Sequence, residues 1–299
     1  MKILLFGKNG QIGWELQRSL APLGEVISFG RHDVDFGNPL ALQTFLGGLE
    51  CDVIVNAAAY TAVDQAESEA EAAHAINERS VAILAAYAAA KGCWLIHYST
   101  DYVFDGTAER PYLETDKPSP VSVYGLTKWR SEIAITESGC RHLIFRTSWI
   151  HSSRGKNFVR TILALAGNGR ELRVTADQVG APTRADLVAD VTAHALRQAL
   201  SQGDSISGIY HLAASGEVSW YEYARWVISE ASSIGLNLAT LPEKVVPITM
   251  DDLPRAARRP MNCRLDTTKL NLQFSLQMPD WRVGVMRTIQ EIAEANDDA

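Results

Sequence analysis

Lys2-Ile3-Leu4-Leu5-Phe6-Gly7-Lys8-Asn9-Gly10-Gln11-Ile12-Gly13 is the stretch that decides the fold. Ile3 to Phe6 form a short continuous apolar run, the mark of a strand covered on both faces. Ile12, Leu16 and Leu20 then recur at the spacing of a helix face. Between them lies a G-x-x-G-x-x-G turn. Glycine in such a turn lets backbone approach a pyrophosphate closely, and the helix N-terminus offers free N–H groups and the positive end of its dipole. Gly7, Gly10 and Gly13 therefore predict a dinucleotide site; the alternative is a tight turn with no ligand.

Outward from this turn the pattern repeats. Glu25 to Phe29, Asp52 to Asn56, Trp94 to Tyr98 and His142 to Arg146 read as strands. Glu67 to Ala90 and Tyr124 to Glu137 read as helices. This βαβ rhythm predicts an α/β protein with a Rossmann-type, doubly wound parallel sheet. The second half is less regular. Phe158 to Ala166, Leu187 to Leu200 and Trp220 to Ala231 read as helices, and Ile209 to Leu212 as a strand. Pro242 to Pro260, rich in proline and arginine, reads as an irregular lobe. A last helix is expected over Trp281 to Ala293, followed by a frayed tail. We expect a dinucleotide-binding unit over 1–147, completed by about 182–212. A smaller C-terminal α/β substrate lobe is expected from 148–181 and 213–299.

The 299 residues are 46% apolar and 21% charged, which fits an ordinary globular chain and excludes a disordered or collagen-like one. The net charge of −7 argues against a nucleic-acid or membrane-surface partner held by overall charge. The four cysteines are far apart and the chain opens directly into a strand rather than a signal peptide, so reduced thiols and a cytoplasmic location are expected.

The tip of the second strand reads Phe29-Gly30-Arg31-His32. An acid there suits the 2′-hydroxyl of NAD and an arginine suits the 2′-phosphate of NADP. Arg31 thus favours NADPH, with NADH as the alternative. Asp35-Phe36 is placed to cap the adenine. Tyr124 and Lys128 stand at i and i+4, on one helix face. A nearby ammonium favours the phenolate, which lets tyrosine exchange a proton near neutrality. Ser99-Thr100 closes a buried strand 24 residues earlier, where ligands of parallel sheets sit. Thr100 is placed to hydrogen-bond the carbonyl oxygen that Tyr124 would protonate.

Together these features resemble the short-chain dehydrogenase/reductase superfamily in its extended, nucleotide-sugar-processing branch. Several further segments narrow the likeness: Val55-Asn56-Ala57-Ala58-Ala59-Tyr60-Thr61-Ala62-Val63-Asp64, Tyr98-Ser99-Thr100-Asp101-Tyr102-Val103-Phe104-Asp105-Gly106, Arg146-Thr147-Ser148-Trp149 and Asp177-Gln178-Val179-Gly180-Ala181-Pro182-Thr183. With these the chain looks like the dTDP-4-dehydrorhamnose reductase family from residue 1 to about 290. The resemblance implies reduction of the 4-keto group of dTDP-6-deoxy-L-lyxo-4-hexulose to dTDP-L-rhamnose. In that role Tyr124 would give the proton to the sugar O4, Lys128 would lower the tyrosine pKa and hold the nicotinamide ribose, and Thr100 would polarise the carbonyl. It implies Gly10, Gln11 and Ile12 on the pyrophosphate and Asp35 and Phe36 near adenine. Ala59, Tyr60, Thr61 and Tyr98 would line the cofactor cleft, and Asp101 and Trp149 would face the sugar.

By the same resemblance, Asn157 opens a helix near the nucleotide diphosphate; Arg258 and Arg259 could supply cations to it, since bidentate arginine suits phosphate oxygens, and the alternative is a solvated or ion-paired loop. Trp220 and Tyr223 read as lobe core. Some members hold a divalent ion, typically Mg²⁺, at a subunit contact. Glu15, Asp186 and Glu291 are the acids placed for it here, and a homodimer is implied. Thr100 is followed by Asp101 and Tyr102 and not by the Asp-Glu pair of the 4,6-dehydratases, which argues against elimination. Two rivals stand beside this reading: a reductase of another dTDP-4-keto-6-deoxy sugar, and a non-catalytic NADP-binding regulatory subunit.

Overall fold

The computed structural model describes residues 1–297. Its elements run β1 (Lys2–Phe6), α1 (Gln11–Leu20), β2 (Glu25–Phe29), α2 (Pro39–Gly47), β3 (Val53–Asn56), α3 (Val63–Ala66), α4 (Ala70–His74), α5 (Ser80–Lys91) and β4 (Trp94–Thr100). They continue with α6 (Val123–Glu137), β5 (His142–Thr147), β6 (Ile150–His151), α7 (Phe158–Gly167), β7 (Leu172–Thr175), β8 (Val179–Gly180), β9 (Thr183–Arg184), α8 (Ala185–Gln202) and β10 (Gly208–His211). The chain closes with β11 (Val218–Ser219), α9 (Trp220–Ser233), β12 (Val245–Ile248), α10 (Thr268–Phe274) and α11 (Trp281–Asp297).

Six strands form one parallel sheet in the order β10-β5-β4-β3-β1-β2. Successive side chains of a strand point to opposite faces, and both faces here are covered. Ile3, Leu5, Val53, Val55 and Ile96 meet α1 and α8 on one side, through Leu16, Leu20, Val188 and Leu196. Leu4, Phe6, Ile54 and Ile144 meet α2 and α5 on the other, through Leu42, Leu46, Leu84 and Ala88. The chain passes from β1 to β2 on one flank and then to β3 on the other. This makes a switch point at the C-terminal end of β1, where open α/β sheets bind ligands. A separate core of Val159, Ile162, Val227, Ile228, Trp281, Val285 and Ile289 joins α7, α9 and α11.

Three expectations are corrected. The helix expected over Glu67 to Ala90 begins at Ala70 and is broken at Ala75–Arg79 by a π-helical turn. Such a turn inserts a residue and re-aims the side chains around it. Here it directs Asn77, 1% exposed, onto the Tyr60 backbone and α6. The stretch from Pro242 to Pro260 holds a strand, β12, paired in parallel with β7. Pro247 is tolerated because the pair has only two strands and both are edges. The expected frayed tail is helical through Asp297, and residues 298–299 lie outside the described residues.

Candidate active site

The glycine turn is built by close approach. Gly7 has φ +88°, a left-handed conformation that favours glycine, and a Cβ there would stand 2.6 Å from the Ala57 backbone. A Cβ on Gly13 would stand 2.0 Å from the Gly7 carbonyl oxygen. Gly10 has no such neighbour; its Cβ would lie 3.4 Å from that same oxygen. Gly7 and Gly13 thus hold strand and helix together, whereas Gly10 keeps the opening clear. Gly10 also N-caps α1 without a side-chain hydrogen bond, so the first N–H groups of the helix stay available. Above the turn lies a cavity of about 610 Å³, lined by Gly10, Arg31, Asp35, Phe36, Tyr60 and Thr61 among others. Ala59 lines it as well. Its volume and its open helix end suit a dinucleotide. Arg31 is exposed at its edge and makes no salt bridge among the described residues. Lys8 is engaged by Asp33 at 2.8 Å. A Gly13→Ala variant is expected to weaken NADPH binding by at least about tenfold, since a 2.0 Å contact must displace backbone of the turn itself. Titration calorimetry checks this, and unchanged affinity would show that the turn does not hold the cofactor.

The side chains of Tyr98 and Gln11 are engaged within the protein. Tyr98 turns its ring into the core beneath α8, where its hydroxyl bonds Thr192 Oγ1 at 2.9 Å. Alternation along β4 decides this: His97 and Ser99, on either side, face α6 instead. Gln11 sits at the first position of α1, and its Oε1 accepts hydrogen bonds from Ser152 Oγ and Asn157 Nδ2, both at 2.9 Å. Asn157 also N-caps α7 through the Arg160 amide. It therefore couples the glycine turn to the second half of the chain.

Thr100, Tyr124 and Lys128 gather one strand beyond the cavity, at the C-terminal end of β4. Ser122 caps α6 by accepting from the Gly125 amide. A Cβ on Gly125 would stand 2.2 Å from the Tyr102 carbonyl oxygen. That contact lets the start of α6 lie against the turn at 101–103 and sets the Tyr124 ring edge-on to Tyr102, 5.7 Å between centroids. Burial pushes the Tyr124 phenol up to about 12, against a smaller opposing effect of the Thr100 hydroxyl. Burial pulls the Lys128 ammonium down to about 7, and Glu132 opposes this. Lys128 Nζ lies 3.0 Å from His97 Nε2. No hydrogen bond joins Lys128 to the Tyr124 hydroxyl among the described residues; the lysine nitrogen rests against His97 of β4.

The residues expected to face the sugar surround this point. Thr100 Oγ1 donates to Asp101 Oδ1 at 2.9 Å, and burial raises the Asp101 carboxyl to about 6. Asp101 Oδ2 is buried without a partner. The Cys263 thiol lies between Asp101 and the Trp149 indole. Trp149 takes φ +49° and stacks on Trp220 at 3.5 Å. A left-handed tryptophan is a strained conformation of the kind that clusters at functional sites. Tyr223 is core, as expected, whereas Trp220 is only half-buried. Arg258 is exposed; its neighbour Arg259 donates to Asp64 Oδ2 at 2.7 Å and faces Tyr102.

The three acids considered for a metal do not form a ligand set within the chain. Glu15 pairs with Arg18, whereas Asp186 and Glu291 both bind Arg184 and Arg287. Two carboxylates held by arginines are already neutralised. Among the described residues no group of three or more His, Cys, Asp or Glu side chains is placed to hold a metal.

Sequence reading missed Asn56, Asn77, His97, Glu132 and Arg146, all nearly fully buried around Lys128. The available signal was a polar residue inside an apolar strand, as with His97 in Trp94-Leu95-Ile96-His97-Tyr98.

The family model described as RmlD substrate binding domain matches residues 1–294. The chain is 51% identical over 296 residues to the dTDP-4-dehydrorhamnose reductase of Escherichia coli (strain K12), covering 98% of each. It is 44% identical over 295 residues to the protein of that name from Burkholderia thailandensis, covering 98% of this chain and 99% of that one. The solved dTDP-4-dehydrorhamnose reductase of Bacillus anthracis, in complex with NADP, matches with a TM-score of 0.85 at 32% identity, covering 97% of this chain and 99% of that one. With likeness of this depth over almost its whole length, the chain belongs to the RmlD substrate binding domain family, among the dTDP-4-dehydrorhamnose reductases.

Proposed function

We propose that the protein is an NADPH-dependent oxidoreductase that reduces the 4-keto group of dTDP-6-deoxy-L-lyxo-4-hexulose to dTDP-L-rhamnose, the last step in making that nucleotide sugar. The observation that carries this reading is the meeting of Thr100, Asp101 and Tyr124 at the end of β4, beside a glycine-turn cavity built for a dinucleotide. The half-chain division fits it: the sugar nucleotide lies between the sheet unit of 1–147 and 182–212 and the lobe of 148–181 and 213–299. When bound, the reduced nicotinamide supplies hydride to the sugar C4. Tyr124 holds the proton for O4, and burial keeps that proton on the phenol until the oxyanion develops. Thr100 is placed to donate to the carbonyl oxygen, its single proton turning from Asp101 Oδ1 to that oxygen when the sugar binds. In its protonated form Lys128 balances the negative charge that the departing proton leaves on Tyr124. Arg31 takes the 2′-phosphate of NADPH, with NADH as the weaker donor. Arg258 and Arg259 face the substrate diphosphate, Arg259 held ready by Asp64.

All four cysteines are free, which supports a cytoplasmic location. No helix among the described residues is long and apolar enough to cross a membrane. A homodimer belongs to the same proposal and is read by sedimentation velocity.

The test is to mix the purified protein with dTDP-6-deoxy-L-lyxo-4-hexulose and NADPH, follow nicotinamide oxidation and identify the sugar. Turnover to dTDP-L-rhamnose, faster with NADPH than with NADH, is expected. Tight NADPH binding without turnover would reject this substrate and direct the search to other 4-keto sugars.

A further inference from the structure

Beneath Lys128 lies a chain of buried polar groups that no step of the reduction uses: Asn56 on β3, His97 on β4 and Ser131 on α6, each 1% exposed or less. The Ala58 amide donates to Asn56 Oδ1 at 3.1 Å. That bond fixes which end of the carboxamide faces the imidazole, so Asn56 Nδ2 stands 3.2 Å from His97 Nδ1. An amide N–H donates, and Nδ1 must accept. A neutral imidazole that accepts at Nδ1 carries its proton on Nε2. Burial keeps His97 neutral, well below its ordinary value. The Nε2–H then faces Ser131 Oγ at 3.1 Å and Lys128 Nζ at 3.0 Å. Ser131 spends its own proton on the Lys128 carbonyl oxygen, so towards Nε2 it can only accept, and the single Nε2–H is shared between Ser131 Oγ and the lysine nitrogen. An ammonium has donors only and would set N–H against N–H; an amine offers a lone pair.

We propose that Asn56 and His97 are positioning residues that fix the resting charge of Lys128. The Ala58 amide locks Asn56, Asn56 locks the imidazole tautomer, and the Nε2–H holds Lys128 as a neutral amine wherever it rests on His97. The ammonium then forms on the side away from His97, towards Tyr124. This rests on the reading of Lys128 as the partner of Tyr124. The other groups facing Lys128 do not replace this control. Glu132, one turn along α6, is bound by Arg146 from β5 and Ser99 from β4. Tyr124 lies one turn back, and Asn77 and Thr127 are uncharged.

The experiment uses the full chain labelled with ¹⁵N-histidine. Two-bond nitrogen–proton correlation spectra are recorded from pH 6 to 9, and a His97→Gln variant assigns the signal. His97 is expected as the Nε2–H tautomer throughout; an Nδ1–H tautomer or an imidazolium overturns the proposal whether or not the protein turns over any sugar. Asn56→Asp replaces the donor by an acceptor. It is expected to move the proton to Nδ1, free Nε2 to accept from the ammonium, and raise the basic limb of the kcat/KM profile by about one pH unit or more. A changed tautomer with an unmoved limb overturns the link to Lys128. Should Asn56→Asp fail to fold, Asn56→Ala removes the lock without adding charge. A mixed tautomer population is then expected, and a pure Nε2–H spectrum overturns the role of Asn56.

Discussion

Replacing Tyr124 by phenylalanine is expected to lower kcat for ketone reduction by roughly 10²–10⁴-fold, the usual worth of a positioned proton donor. NADPH binding should survive, because the glycine-turn cavity is lined by other residues. Packing should survive too, since the ring keeps its edge-on contact with Tyr102. The size of the effect follows from what else is within reach. Thr100 is an alcohol whose single proton rests on Asp101 until the sugar binds, and it can hydrogen-bond the oxyanion but not protonate it. Asp101, raised to about 6, is mostly ionised at neutral pH and is a poor donor there. With the phenol gone, the developing oxyanion would depend on water. Stopped-flow measurement of NADPH oxidation under single turnover separates this chemical step from product release. A loss smaller than about threefold would move the acid elsewhere, with Asp101 as the first candidate, and the residual rate should then rise towards acid pH.

The parts of this site that were legible in the sequence are those set by contacts close along the chain. Gly7, Gly10 and Gly13 stand within seven residues, and their close approaches are to one another and to β3. Tyr124 and Lys128 lie one helical turn apart, so α6 alone brings them together. What the sequence did not make legible depended mostly on distant partners. A strand was visible over Trp94 to Tyr98, but its two faces depend on which helices cover them. α6 covers His97 and Ser99, so Tyr98 goes under α8. The π-helical turn at Ala75–Arg79 lies in an alanine-rich stretch whose pattern fits an unbroken helix equally well; its cause is the bonding of Asn77 to the Tyr60 backbone and Thr127. β12 was hidden by Pro247 and by the prolines that flank it, and it pairs with β7, more than 70 residues away. Asp186 and Glu291 were considered for a metal; each has one arginine close along the chain, Arg184 two residues before Asp186 and Arg287 one turn before Glu291, whereas the cross-pairs Arg184–Glu291 and Arg287–Asp186 come from the docking of α11 on β9.

The second large effect expected is on stability. Glu132→Ala should destabilise the fold by about 3–5 kcal/mol, the range for removing one partner of a buried ion pair. Glu132 and Arg146 are each 2% exposed. Arg146 donates through Nε to Oε1 at 2.9 Å and through Nη2 to Oε2 at 2.6 Å, a bidentate arrangement. Ser99 Oγ donates to the same Oε1. The guanidinium lies 5.0 Å above the Phe104 ring, and its Nη1 has no partner. Without Glu132 a charge that cannot lose its proton stays in the core with nothing to balance it, and Ser99 loses its acceptor. The pair is not expected to be strongly stabilising in itself, since desolvation offsets most of its attraction. A Glu132→Leu/Arg146→Met double variant should therefore recover a large part of the loss. Urea unfolding midpoints of the single and double variants make the comparison. If the double variant is as unstable as the single one, the loss comes from packing and not from the stranded charge. The same pair joins α6 to β4 and β5 directly beneath Thr100 and Lys128. The double variant, even when stable, should therefore lose activity, because it gives up the bond that holds Ser99 and with it the end of β4.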